Sequence, residues 1–416
     1  MISLVFKPDG VSTARLISDL ASDLVAYGHR VTVLTTTPHY NRDPEAEAMQ
    51  PSRRLLGGIL EKSDYHGVRV YHTRIPRKGR SVLLRLMAWV WFHLVSTVAA
   101  VFLGKRSHVI FAPSPPLTIG VSAWAVGLAR SLPFIYNVQE IYPDIAISLG
   151  ALKNRTLIRV LYWLERFVYR RARAVTVIGP RMQQRLLEKG VPAGKLVVLP
   201  NFVDLGGFVP RPKDNAFSRE FDLHDKFVVS YSGNLGPAQG LEFFVDVASQ
   251  LRDCQDIRLL LIGDGMLAVP LKQRAAALGL SNLLVLPFQP FSRVPDVYGA
   301  SDLCVVPQAI ATGSEAVPSK AYGIMACERP IVAATDSDSD LARLVRAANA
   351  GVVIPAESAA ELAAVVRTAP SEREQWRARA ASGRAHVMEH YAREKVTRRY
   401  EELLLRVARQ KLPSFD

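Results

Sequence analysis

Short runs rich in valine, isoleucine and leucine recur along the chain, each followed by a longer stretch whose apolar residues keep helical spacing. In the first half the runs are ISLVF, RVTVLTT, GVRVYHT, HVIFAP, PFIYNV, AVTVI and KLVVLP; in the second they are KFVVSYSG, IRLLLIG, NLLVLP, DLCVVP, PIVAAT and AGVVIP. Alternation of such runs with helices is the pattern of parallel strands covered by helices on both faces. It predicts an α/β fold of two Rossmann-like halves, residues 1–205 and 206–390. Residues 204–226, rich in proline, glycine and aspartate, read as a linker with a small excursion. The end of the chain reads as helices over 358–368, 371–391 and 394–410, and the segment 391–416 is expected to cross back and brace the first domain. Ligands of such sheets bind beyond the carboxyl ends of the strands, so two facing halves place a reaction in the cleft between them.

One segment departs from this rhythm. Residues 81–103, SVLLRLMAWVWFHLVSTVAAVFL, are long and apolar enough to span a bilayer. Arg85, Trp89, His93 and Thr97, however, recur every fourth residue and draw a partly polar stripe along one helix face. HVIFAP also follows at once as a strand of the same sheet, which a spanning helix would carry to the wrong side of the membrane. The segment therefore reads as an amphipathic helix that packs on its domain and dips into the headgroup region. Trp89, Trp91 and Phe92 are expected at the interface, with Arg77, Lys78, Arg80, Lys105 and Arg106 on lipid phosphates. A wholly buried core helix is the alternative that the same composition allows.

Charge sharpens that reading. The net charge of +14 lies entirely in residues 1–210, which hold 27 Lys and Arg against 13 Asp and Glu; the remainder is balanced. A lobe this basic attracts an anionic membrane surface, a phosphorylated substrate or nucleic acid. The composition, 49% apolar and 22% charged, is that of a globular protein. Cys254, Cys304 and Cys327 have no metal-ligand spacing and make an odd count, which fits structural thiols in a reducing compartment. MISLVFKPDG lacks the basic and apolar regions of a secretory leader.

Candidate chemistry sits in the loops. KFVVSYSGNLGPAQGLEFF reads as strand, turn and helix, with Gly233, Gly236 and Gly240 letting backbone approach a ligand and a helix expected to begin near Gln239. The spacing G-x-x-G-x-x-x-G is not the dinucleotide fingerprint. Downstream, Pro318 and Ser319 open a second helix and put Lys320 in its first turn, where a cation is out of place unless an anion joins it or Glu315 pairs with it. IGDGM, with Gly263, ends another strand and is expected to turn against a sugar or base. In the first half FKPDGVSTAR leads into a helix capped by Ser12 or Thr13, with Gly10 free to approach the same anion.

The order of PDGVSTAR, GHRVTVLT, APSPPLTIG, NVQEIYPD, SGNLGPAQG, LLIGDG, ASDLCVVP and EAVPSKAYGIMACERPIVA resembles the retaining glycosyltransferases of family 4, of GT-B fold. It is most similar to the branch that builds bacterial surface polysaccharides on a polyprenyl carrier. The resemblance implies sugar transfer from a nucleoside-diphosphate sugar, UDP favoured and GDP possible, to a polyprenyl-diphosphate-linked acceptor, with retention at the anomeric carbon and without a metal. It implies a cytoplasmic enzyme, peripheral on the inner membrane face, with no nucleic-acid partner. The family's E-x7-E motif falls on Glu315, for the donor sugar or its oxocarbenium-like centre, and on Gly323, which lacks the carboxylate; ribose contact then passes to backbone or to Tyr322. The family's phosphate-loop Arg and Lys fall on Asn234 and Gln239, leaving Lys320, with N–H groups of Ser319 and Gly236, for the diphosphate. Its first-lobe histidine falls on Gln139, beside Glu140, and Glu140 and Asp144 are acceptor-positioning candidates. Base contacts are expected near Pro287 and Gln289. Two other classes compete: a sugar-nucleotide epimerase of the same fold, which has no use for a basic apolar face, and a non-enzymatic basic module that binds membrane or nucleic acid, which leaves the loops without a purpose.

Overall fold

The computed structural model describes residues 1–39, 44–75, 82–104, 106–310 and 318–409. Backbone proximity divides the chain into two units, one of Met1–Ala146, Leu152–Pro200 and Val396–Asp416, the other of Ile147–Ala151 and Asn201–Lys395.

In the first unit, strands β1 (Thr32–Thr36), β2 (Arg53–Leu55), β3 (Leu60–Tyr65) and β4 (Val68–Thr73) form a sheet of order β1-β4-β3-β2, with β1 and β4 parallel. The strands β5 (Ile110–Pro113), β6 (Phe134–Val138), β7 (Ala174–Val177) and β8 (Leu196–Val198) form a parallel sheet in that order. The opening run ISLVF was expected as a full strand and makes only a bridge, Ile2 with Leu34. It still joins the two sheets, because Ser3 N donates to Leu34 O and Ile2 N to Phe111 O, each at 3.0 Å. The last helix, Arg393–Arg409, buries Tyr400 edge-on against Phe111 and presents its hydroxyl to Asn137 Nδ2 at 3.2 Å.

The Val82–Leu103 helix has two unlike sides. Its small and polar side faces inward: Ala88, Phe92, Ser96, Ala99 and Ala100 are buried, and His93 bonds Ser122 Oγ at 2.9 Å and Thr118 Oγ1 at 2.7 Å. Burial pushes His93 down to about 4, so it stays neutral there. The large apolar side, with Leu86, Met87, Val90, Trp91, Leu94, Val98 and Phe102, is exposed. Phe92, expected at an interface, is 0% exposed because it fills the space against the domain. By length and composition Leu86–Leu103 is apolar enough to cross a membrane. Arg106 is exposed; Arg77, Lys78, Arg80 and Lys105, and the Arg85 side chain, fall outside the described residues.

The second unit is a six-stranded parallel sheet of β9 (Phe227–Ser232), β10 (Ile257–Ile262), β11 (Leu283–Leu286), β12 (Leu303–Pro307), β13 (Ile331–Ala334) and β14 (Gly351–Ile354), in the order β11-β10-β9-β12-β13-β14. The strands read as unbroken apolar runs because helices cover both faces; Val229, Leu259, Leu261 and Val305 are buried on one side, Cys304, Val306 and Ile331 on the other. From β9 the chain builds outward to β11 and then returns to β12 on the opposite side of β9, so the order reverses between β9 and β12. A crevice beyond the carboxyl ends at such a reversal is where open sheets of this kind bind ligands.

Candidate functional site

The register across the second sheet sets three loops side by side. Ser232, Ile262 and Leu286 lie in one row, and the next residues, Gly233, Gly263 and Pro287, leave the strands together. Gly233 N donates to Ile262 O at 2.9 Å and Gly263 N to Leu286 O at 3.0 Å, so the row is still laddered where the loops begin. Gly263, at φ +151°, is pressed face to face on its neighbour, and a Cβ built there would land on the Gly233 carbonyl oxygen. Glycine at 263 thus serves the close approach of two backbones, its Cβ direction being filled by the Gly233 carbonyl. The expected helix near Gln239 is displaced: Pro237–Gln239 is a single 3₁₀ turn, and the α-helix starts at Phe243. With its carboxamide nitrogen turned inward, Gln239 donates to Gly236 O at 2.9 Å and Asn234 O at 3.2 Å, which braces the loop from within. Asn234 is exposed.

From the far side of the order reversal, the Lys320–Ala326 helix begins just past Ser319, which stands at its N-cap without a side-chain cap bond. The helix has seven residues, and the N–H groups of Ala321 and Tyr322 already turn back onto the carbonyls of Pro318 and Ser319, at 3.2 Å each. The lysine, more than the helix end, is therefore the positive feature. Lys320 Nζ lies 3.9 Å from the centroid of the Tyr231 ring and donates to its hydroxyl at 2.8 Å. That hydroxyl in turn donates to Asn234 O at 2.7 Å. Gly233 leaves room for the ammonium, since a Cβ there would come within 2.7 Å of Nζ. Burial lowers Lys320 to about 7 and raises the Tyr231 phenol. Among the described residues no carboxylate pairs with Lys320; Glu315, its suggested local partner, falls outside them.

Tyr231 was not singled out in the sequence, although a tyrosine inside an apolar strand already asks what its hydroxyl meets. Phe288, exposed just beyond β11 in the row of loop exits, was missed as well. Its ring presents a flat apolar face to solvent. Gln289 is buried, its amide donating to Pro287 O at 3.1 Å and accepting from Arg293 at 3.0 Å, so it fixes this loop. Tyr322 is withdrawn from ribose contact: it is buried in the core and stacked on Tyr391 at 4.6 Å. At Gly323 a Cβ would meet the edge of the Phe208 ring at 2.7 Å, so an aromatic ring occupies the position of the second carboxylate of the E-x7-E motif.

In the first unit Gly10 precedes the Ser12–Ala26 helix. Neither Ser12 nor Thr13 is the N-cap: Val11 holds that position, without a side-chain cap bond. At the end of β6, Gln139 is buried and its amide donates to Asn137 Oδ1 at 2.8 Å. Glu140 beside it is half-buried, its carboxyl is raised by desolvation, and it has no hydrogen-bond or ion-pair partner among the described residues. Asp144 is already committed, to Lys189 Nζ at 2.8 Å and Arg185 at 3.3 Å. Lys189 also holds the buried Glu165 at 2.9 Å, so this is an internal ion cluster and not a free acceptor contact. The acidic run 336–340 is a turn in which Ser339 caps the Asp340–Ala347 helix.

Comparison with known proteins accounts for both units. The family model described as "Glycosyl transferase 4-like domain" matches residues 13–201, and that described as "Glycosyl transferases group 1" matches residues 213–386. The putative colanic acid biosynthesis glycosyl transferase WcaI of Escherichia coli (strain K12) is 24% identical over 378 residues, 88% of this chain and 90% of its own length. The probable glycosyltransferase WbjE of Pseudomonas aeruginosa is 25% identical over 296 residues, 70% of this chain and 74% of its own. The crystal structure of Anabaena HepE in complex with UDP matches with a TM-score of 0.73 at 17% identity, over 97% of this chain and 99% of that one. Sucrose-phosphate synthase from Thermosynechococcus elongatus matches with a TM-score of 0.75 at 17% identity, over 98% of each chain. These structural likenesses establish the GT-B fold.

Proposed function

Since the chain belongs to the glycosyltransferases, joining a glycosyl transferase 4-like domain to a group 1 domain, we propose that it moves a sugar from a UDP-sugar to a polyprenyl-diphosphate-linked acceptor in bacterial polysaccharide synthesis. The observation that carries the reading is Lys320: a cation with no carboxylate partner among the described residues, set over Tyr231 at the order reversal of the second sheet. The names of WcaI and of the UDP-bound HepE support the polysaccharide setting and the donor class.

As the glycosidic bond breaks, negative charge grows on the departing phosphate, and a donor already held in place there lowers the barrier most. Lys320 takes that role. A diphosphate restores the proton that burial weakens, because a neighbouring anion favours the charged amine. The backbone N–H groups of Gly236 and Ser319 share the phosphate charge, so the reading assigns no metal to the site. Phe288 lies against the base, with Pro287 beside it. Glu315 holds the donor sugar, and Glu140 positions the acceptor hydroxyl. With no paired carboxylates assigned for a covalent intermediate, the reading is a same-face displacement assisted by the leaving phosphate, with retention. The exposed apolar side of the Val82–Leu103 helix rests in the membrane interface where a lipid-linked acceptor resides.

The test incubates the purified protein with a panel of UDP- and GDP-sugars and a polyprenyl-diphosphate-linked saccharide, and reads the anomeric configuration of any product by NMR. An axial linkage from an axial donor supports the reading. An inverted product would remove the mechanism, and epimerised donor without transfer would remove the function.

A further inference from the structure

The Arg155–Arg171 helix of the first unit has the makings of a second lipid contact. Asn154 caps it, accepting from the N–H groups of Thr156 and Leu157 at 3.0 Å each. The helix buries Glu165, Val168 and Tyr169 and is seated by Gly120 of the Ile119–Arg130 helix, where a Cβ would strike Val168. That same Ile119–Arg130 helix bonds His93 of the Val82–Leu103 helix through Ser122, so both outer helices belong to one layer. The outward side of Arg155–Arg171 combines two features. Leu157, Val160 and Trp163, at helical spacing, are exposed, Trp163 by 60%. Arg155, Arg159, Arg166, Arg170 and Arg171 are exposed too, and none has a carboxylate partner among the described residues.

Three of these arginines surround a small hollow. Trp163, Arg166, Phe167, Arg170 and Arg171 line a cavity of about 280 Å³. Phe167 forms its apolar wall, stacked with Trp163 at 5.8 Å, met edge-on by Trp124 at 5.0 Å and covered by the Arg171 guanidinium at 5.6 Å. Guanidinium groups bind phosphate oxygens in a fork, and tryptophan favours the boundary between headgroups and acyl chains.

We propose that this hollow seats the headgroup phosphate of an anionic phospholipid, with Leu157, Val160 and Trp163 entering the bilayer interface beside it. The inference rests on the membrane reading of the Val82–Leu103 helix and adds to it a site that selects anionic lipid. A second copy of the chain is a poor occupant, because a two-fold contact on this side sets arginine against arginine. Nucleic acid satisfies the arginines and leaves the aliphatic residues unused. A bilayer with negative headgroups satisfies both.

The test is co-sedimentation of the full chain with phosphatidylcholine vesicles, with and without phosphatidylglycerol. Wild type is expected to prefer the phosphatidylglycerol vesicles. The double variant Arg166→Gln/Arg170→Gln is expected to bind them about 30-fold more weakly, at roughly 1 kcal/mol per basic residue, while keeping its binding to phosphatidylcholine. Trp163→Ala weakens binding to both. In contrast, Leu94→Glu on the other helix lowers binding to both while retaining the preference for phosphatidylglycerol. An undiminished preference in the arginine variant overturns the headgroup site and leaves the membrane reading standing. Absence of wild-type binding to either vesicle overturns both. A wild-type dimer that the arginine variant dissociates without lipid assigns the surface to a second copy instead.

Discussion

Lys320 reaches back across 89 positions of sequence to donate a 2.8 Å hydrogen bond to the Tyr231 hydroxyl. The same hydroxyl donates to Asn234 O, so a single tyrosine ties the cation to the backbone of the glycine loop. The two sides of the order reversal in the second sheet are thereby held together at the point where a phosphate is proposed to bind.

Removing only that link tests its importance. Tyr231→Phe keeps the ring under the ammonium and deletes the bonds to Lys320 and Asn234. A hydrogen bond to a charged group contributes about 1.5–3 kcal/mol, so affinity for UDP is expected to fall roughly ten- to a hundredfold. Titration calorimetry measures it. An unchanged affinity would show that the ammonium is held by the ring and loop alone.

The acid–base state of Lys320 makes a second prediction. Folding lowers its pKa from the ordinary lysine value of 10.5 to about 7. The unfolded chain therefore holds this proton through a window in which the folded chain has released it, and the contribution of Lys320 to stability rises with pH between those values. Below about pH 7 the folded protein carries the whole cost of the buried charge. Lys320→Met should raise stability at pH 6 by on the order of 1–3 kcal/mol and flatten the rise between pH 7 and 10.5, read from urea unfolding across pH. Nucleotide binding should work in the opposite direction. Above pH 7 UDP should draw a proton onto the lysine, visible as a binding heat that depends on the buffer, and its affinity should decline as pH rises.

A third prediction concerns Gly323, where Phe208 fills the place of a carboxylate. Restoring the family's acid with Gly323→Glu should destabilise the protein by about 1–3 kcal/mol, because the side chain must displace a packed ring. Gly323→Glu combined with Phe208→Ala should recover part of that loss, measured by unfolding midpoint. Equal stability of the single variant and wild type would show that Phe208 moves aside freely.

Features that local pattern determines were legible in the sequence. Buried parallel strands such as β10 and β12 announce themselves as continuous apolar runs, and the glycine loops follow them at once. The hairpin of β2 and β3 was not expected, because RRL and LEKSDY are polar along much of their length and alternate too weakly to stand out. Spacing gave the two sides of the Val82–Leu103 helix but not which would be covered; that depended on Ser122, 29 positions beyond His93, offering a partner. Tyr231 escaped notice for the same reason, since its role exists only once Lys320 arrives. Tyr322 misled in the opposite way: it stands beside the motif in sequence and inside the core in space.

The most direct test of the central claim is thermal unfolding with and without excess UDP, in wild type and in Lys320→Ala. At about 100 times its dissociation constant a ligand adds roughly 2.7 kcal/mol. Wild type should be stabilised by that order while the variant, folded, shows little or no shift. A variant stabilised by UDP as strongly as wild type would contradict the assignment of Lys320 as the phosphate seat.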